Sequence, residues 1–422
     1  MSNPQAAETK KTKRPRGLLA SRKAKDHTAE SEPAAKKARG DDAPPQDPEE
    51  VKVQDWQDLD ELFENALDAL YGPNWVSALP LVRGALHECA RLISVYNDPT
   101  IIYSPLEGKA PAGSENTPAS AFFTIYASAW FIMSTFARND TSLLTEDEPD
   151  EPSEYLLSAL AACEKGQQAL DVRKQAKAWD LEFTWGRALV AAAQSLAESE
   201  VEPQASENGT TDARAHFLGP DSSTALGRAF EHLTYATKHR PQSIDSSSGI
   251  EDEPKLKDER FARALLETAQ GILAVSESLQ SEDFSPVRYL EKSQELLHWA
   301  REIPIHVELK TQVDLCLGQV ELAIGSAIAE RLEDDSSGEE SESRETAIKS
   351  LKGAIAKFDV VRGLCLKQSD GKGEFVIEEL KPMLQEALVT LATLLPAGPE
   401  QESMYSRYQA EGGVLDEEDE PE

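Results

Sequence analysis

Wherever apolar residues are frequent in this chain, they recur at intervals of three and four. Trp56, Leu59, Leu62, Phe63, Ala66, Leu67 and Leu70 are the first such set. That spacing lines one face of an α-helix, and Gly72-Pro73 stops it. Leu79, Val82, Leu86, Ala90 and Ile93 predict a second helix over 79–96 with those five residues facing the core. Further helices are predicted over 120–138, over 153–171 after Pro152, and over 177–199, which carries Trp179, Leu181, Phe183, Trp185 and Leu189. The later ones span 222–239, 258–279, 286–303, 306–333, 344–366 and 374–395, eleven in all. Pro286 opens one of them, where its missing N–H costs nothing, and Pro304 and Pro396 close others. No run alternates β-branched with polar residues, so no strand is expected.

The segments between these helices are rich in Ser, Gly, Asp and Glu, notably 200–221, 241–257 and 334–345. They read as exposed insertions, because lengthening a loop adds little closure entropy. Glycines interrupt the apolar pattern at Trp185-Gly186, Leu226-Gly227 and Leu317-Gly318. In helix-turn-helix repeats a small residue lets the neighbouring helix approach closely, but the intervals here are uneven and exceed the ~34-residue tetratricopeptide period. The fold class is therefore all-α, a TPR-like helical repeat array of degenerate helix-turn-helix type. It divides into a disordered basic tail (1–53), a helical body (54–396) and an acidic, mostly disordered tail (397–422).

Charge sharpens that division. Residues 1–40 hold eleven Lys/Arg against four acids, +7, which leaves −40 for the rest of a chain whose total is −33. So polar a segment cannot offset its ordering entropy. Lys10, Lys11, Lys13, Arg14 and Arg16, then Lys36, Lys37 and Arg39, form two clusters of the kind an import receptor reads. An acidic body repels nucleic-acid phosphates, so no specific nucleic-acid binding is expected, and basic partners suit it better. Cys89, Cys163, Cys316 and Cys365 form no CxxC pair and read as reduced, packed thiols of a nuclear or cytoplasmic protein. Asn208-Gly209-Thr210 is then only a loop. Thr117–Ala137 is uncharged and long enough for a bilayer, yet it carries several Ser and Thr, and a helix buried all round explains it better. No membrane association follows.

A search for chemistry finds no active site. His306-Val307-Glu308 has the H-x-E of a zinc deaminase without the cysteine pair, and it lacks the third ligand of a non-haem iron site. Gly371-Lys372-Gly373 lacks the upstream glycine of a P-loop, and has Gly where Ser or Thr binds magnesium. No G-x-S-x-G is present. The expectation is no catalytic residue, no metal and no cofactor. Ser248, Ser336 and Ser337 each precede an acid by three residues, the setting of an acidophilic kinase, although a solvated loop without regulation explains them better.

On the second helix, His87-Glu88-Cys89-Ala90-Arg91-Leu92 resembles the H-E-C-x-R-L segment of the fungal enhancer-of-translation-termination family. Lys13-Arg14-Pro15-Arg16-Gly17-Leu18 is similar to that family's basic start, and Tyr126-Ala127-Ser128-Ala129 to its Tyr/Ala-rich helix. The likeness spans most of the chain in architecture through short motifs; the late helices match in pattern only. It implies a nuclear, all-helical adaptor without catalytic activity, shuttling to the cytoplasm if it also serves translation. It further implies binding to a 2-oxoglutarate-dependent, prolyl-hydroxylase-like dioxygenase, regulation of hypoxic gene expression and support of translation termination. The residues of the motif have a structural reading of their own: Cys89 a small core residue, Glu88 and Arg91 a surface pair, Leu92 apolar packing, His87 a bridge between helices. An import receptor would take the basic tail, and a basic ribosomal protein is a further partner suited to the acidic body. Two other readings are a general TPR-like co-chaperone or import adaptor for basic cargo, and an enzyme with a helical site whose perturbed carboxylates converge in a cleft.

Overall fold

The computed structural model describes residues 48–105, 116–201, 211–240, 253–279, 286–334, 340–367 and 372–415. The clusters at Lys10–Arg16 and Lys36–Arg39, Ser248, Ser336, Ser337 and the acids from Asp416 on lie outside them. Among the described residues there are thirteen α-helices and no strand. They are α1 (Pro48–Leu70), α2 (Leu79–Tyr96), α3 (Ala121–Asn139), α4 (Pro152–Val172), α5 (Trp179–Val201), α6 (Thr211–Leu218) and α7 (Ser222–His239). The series continues with α8 (Glu253–Ser278), α9 (Pro286–Glu302), α10 (Val307–Asp334), α11 (Glu340–Cys365), α12 (Lys372–Leu394) and α13 (Pro399–Ala410).

Local signals explain many of the boundaries. Proline occupies the first position of α1, α4, α9 and α13, and the Asp221 carboxylate caps α7 by accepting from the Thr224 N–H at 2.7 Å. The eleven predicted helices all form, and two more appear. α6 lies within the segment read as a loop over 200–221, and α13 lies beyond Pro396, where the body was expected to end. α13 is held by its surroundings rather than by an apolar stripe of its own. Arg362 donates to Glu411 just beyond its end at 2.6 Å, and Arg407 to Asp359 at 2.6 Å.

Consecutive helices pack on one another, α1 on α2 through to α5, then α5 on both α7 and α8, and onward pairwise from α8 to α13. Two large apolar clusters result. One runs from Leu59 to Tyr155, the other from Leu156 to Leu395, and Trp130 and Phe131 of α3 pack against both. α3 buries ten residues, while Thr124, Ser128, Phe131 and Thr135 share a remaining side that is only half-buried, and no described helix is long and apolar enough to cross a membrane.

Two side-chain expectations change. The buried seam of α2 is Leu79, Val82, Ala85, Cys89 and Leu92, whereas Ala90 is exposed and Leu86 and Ile93 are half-buried. α2 meets both α1 and α3, and it turns its small residues, Ala85 and Cys89, into that junction. Of the three glycines at Gly186, Gly227 and Gly318, two mark close approaches. A Cβ on Gly186 would lie 2.6 Å from Leu233 of α7, and one on Gly318 would lie 2.6 Å from the Phe358 ring of α11. Gly227 faces nothing within 4 Å.

Candidate functional site: a cleft between four helices

The C-terminal half of α1, residues 128–139 of α3, Arg187 of α5 and residues 260–267 of α8 line an open cleft of about 350 Å³. Its walls are apolar, chiefly Phe63, Leu67, Trp75, Phe131, Ile132 and Phe261. Two packed aromatic groups hold the walls in place. Trp75 stacks on Phe136 at 4.8 Å. Phe261 contacts Phe183 at 4.9 Å and Trp299 at 4.8 Å, with the Arg240 guanidinium 4.0 Å from its centroid. A smaller hollow of about 180 Å³ adjoins it and shares Phe131, Thr135, Arg187 and Glu267 as lining.

Two arginines set the electrostatics. Arg187 lies over the Phe131 ring, 4.6 Å from its centroid, and donates to Glu267 of α8 at 2.7 Å. Arg260, on α8, reaches across to α1, pairing with Glu64 at 2.6 Å and with Asp68. Phe131 and Arg187 therefore form a cation–π contact within the desolvated wall, where such contacts are strongest. Half of the Glu267 side chain is open to solvent, but protein surrounds the rest. Burial raises its carboxyl above the usual carboxylate range, and Arg187 and Arg263 only partly offset this. The Tyr71 hydroxyl beside them is pushed up to about 12, first by burial and then by the Glu267 charge. The Nε atoms of Arg187 and Arg260 are both buried with no hydrogen-bond acceptor.

Of the residues singled out from the sequence, Phe63, Leu67 and Leu70 of the first helical stripe and Ser128 of the Tyr126–Ala129 segment line the cleft, whereas His87–Leu92 and His306 do not. His87 is exposed on α2 rather than bridging helices. Glu88 accepts from Arg91 at 3.0 and 2.6 Å, and Arg91 extends the pair to Asp55 of α1 at 2.6 Å. Cys89 and Leu92 are fully buried. All four cysteines are free and buried, with burial raising the thiols of each. His306 of the H-x-E triplet faces Glu259 at 3.2 Å. Of the lining residues that the sequence reading missed, Arg187 carried a signal of its own. Arg187 follows Trp185-Gly186 and precedes Ala188-Leu189, and Arg260 precedes Phe261-Ala262. A lone cation inside an apolar helical stretch, as Arg187 is, needs a partner or an opening, whereas Arg260 sits among Lys257, Asp258, Glu259 and Arg263 and is not marked out in that way.

No protein-family model matches the chain, and no curated protein matches it in sequence. Among solved structures, it is similar to the hypoxic regulator of sterol synthesis Nro1, described as a nuclear import adaptor. The identity is 15% and the TM-score 0.53, over 88% of this chain and 93% of that one. The S. pombe nuclear import adaptor Nro1 in space group P6522 also aligns, at 15% identity and TM-score 0.49, over 88% of this chain and all of the other. At this identity the likeness to Nro1 establishes the all-helical fold.

Proposed function

We propose that this protein is a non-enzymatic nuclear adaptor whose cleft between α1, α3, α5 and α8 holds a partner protein, while its basic tail engages an import receptor. The observation that carries the reading is the cleft itself: a preformed, aromatic-walled opening with partly exposed acids at its rim. Apolar openings of ~300–1,000 Å³ with a few placed polar groups are the usual form of a binding site. The fold shared with Nro1, itself described as a nuclear import adaptor, supports the adaptor role. The resemblance of His87–Leu92 and Lys13–Leu18 to the termination-enhancer family supplies the partner, a 2-oxoglutarate-dependent, prolyl-hydroxylase-like dioxygenase. On that reading the protein regulates hypoxic gene expression and supports translation termination, and its acidic serine segments around Ser248, Ser336 and Ser337 are sites of regulation. The co-chaperone reading is weaker, because no regular set of Lys, Arg and Asn along inner helix faces is evident to grip an acidic peptide terminus.

Affinity purification of the tagged full chain from its own cells tests this division of labour. The unaltered protein is expected to bring down the dioxygenase together with an import receptor. Thr135→Trp, which fills a wall shared by both hollows, should lose the dioxygenase and keep the receptor, and deletion of residues 1–47 should do the reverse. Retention of the dioxygenase by Thr135→Trp, or its loss on tail deletion, would refute the proposal.

A further inference from the structure

The chemistry of the cleft narrows what it binds. Arg260 has only 9% of its side chain exposed, yet its Nε–H and that of Arg187 have no acceptor. Both guanidinium Nε atoms are shut within the wall, out of reach of a molecule in the opening, so the two arginines shape the cleft without offering it free donors. Their charges need nothing further. Glu267 balances Arg187 at 2.7 Å, and Glu64 and Asp68 balance Arg260. Three carboxylates already face these two guanidinium groups, and the nearby Arg263 is itself paired with Glu259 at 3.2 Å, so an added carboxylate or phosphate would be repelled, whereas a cation would be drawn in. The same three acids are 38%, 50% and 50% exposed at Glu64, Asp68 and Glu267, which places negative charge where the cleft meets solvent. Aromatic walls at Trp75, Phe131 and Phe261 leave room between them for bulky apolar groups.

We infer that the cleft is an anchor site for a protein segment that inserts an aromatic or branched apolar side chain flanked by Lys or Arg. The segment's apolar side chain packs between the aromatic walls, and its basic residues lie against Glu64, Asp68 and Glu267. This inference rests on the adaptor reading and states the chemistry that the partner must present. The overall charge agrees, since the chain beyond residue 40 carries −40 once the +7 of residues 1–40 is separated from the total of −33, and such a surface draws cationic segments toward it.

Selection of a random dodecapeptide display library on the full chain tests it. Enriched peptides should carry Trp, Phe, Leu or Ile flanked by Lys or Arg. A synthetic peptide of the enriched sequence should bind about tenfold more weakly to Glu267→Gln, the scale of one charge-assisted hydrogen bond from a basic residue. Its binding should be abolished by Thr135→Trp. Should Thr135→Trp not fold by circular dichroism, Glu267→Gln gives the test by itself, because it keeps the size of the native side chain. Enrichment of acidic peptides, enrichment without an apolar anchor, no enrichment, or binding indifferent to these variants would each overturn the inference. The two readings fail separately. If Thr135→Trp loses the dioxygenase in cells while the library gives acidic peptides, the anchor chemistry is wrong and the adaptor reading stands. If basic–apolar peptides bind the cleft and no dioxygenase is recovered, the anchor stands and the partner is wrong.

Discussion

At the scale of single residues, two glycines in equivalent sequence settings have opposite physical roles. Gly318 lies on α10 where the ring of Phe358, itself fully buried, would come within 2.6 Å of a Cβ. Adding a methyl there must move a packed aromatic ring, and overpacking of this kind costs ~1–3 kcal/mol. Gly227 lies on α7 with open space in front of it, so alanine there only removes backbone freedom from the unfolded chain and improves helix propensity, a gain of ~0.5–1 kcal/mol. Gly318→Ala is therefore expected to lower the urea midpoint and Gly227→Ala to raise it. Equal shifts of the same sign in the two variants would contradict this account of the α10–α11 contact. Both glycines follow a leucine within an apolar helical run, and only the neighbour across the interface tells them apart.

Individual helices were largely legible from the sequence because each buries a face whose spacing the chain records. Leu59, Phe63 and Ala66 of α1, or Leu380, Leu384, Leu388 and Leu391 of α12, are buried at the intervals the helical period requires. α6 and α13 escaped for the converse reason. Neither has a long apolar stripe, α13 has no buried residue, and its position depends on Asp359 and Arg362 of another helix. The rotated seam of α2 shows a further limit: periodicity names two candidate faces, and the neighbours choose between them. The cleft was out of reach because it joins residues from Phe63 to Glu267. Its tie, Arg260 to Glu64, spans 196 positions. That tie makes α1 depend on α8. Arg260→Met keeps the apolar stem but removes both ion pairs. The cost is expected to be ~1–3 kcal/mol, less than for a wholly buried pair because Glu64 and Asp68 are partly exposed. Hydrogen exchange should accelerate in residues 59–70 and stay unchanged in α11 and α12. Uniform acceleration throughout, or protection retained in α1, would show that the tie does not hold the first helix in place.

For the whole molecule, the acidic excess sets up two responses to salt that run in opposite directions. A chain with −40 beyond residue 40, from the total of −33 and the +7 of the first forty residues, repels itself when compact, and that repulsion weakens as the screening length falls to ~10 Å near 0.1 M salt. The ion pairs that join its helices are partly buried, such as Arg240 with Asp258 at 17% and 12% exposure and Arg187 with Glu267 at 17% and 50%. Buried pairs are screened less than surface charges. Raising sodium chloride from ~10 mM to ~0.2 M should therefore raise the thermal midpoint, since repulsion loses more than the pairs do. A falling midpoint would mean that the pairs outweigh the net charge. Binding at the cleft responds in the opposite sense, because salt screens the attraction between Glu64, Asp68, Glu267 and a basic segment, and weakens it most where those acids are exposed. A fold that tightens while its partner loosens over the same salt range is the signature of net charge kept for recognition at some cost to stability. Parallel responses would place the recognition in the apolar walls alone.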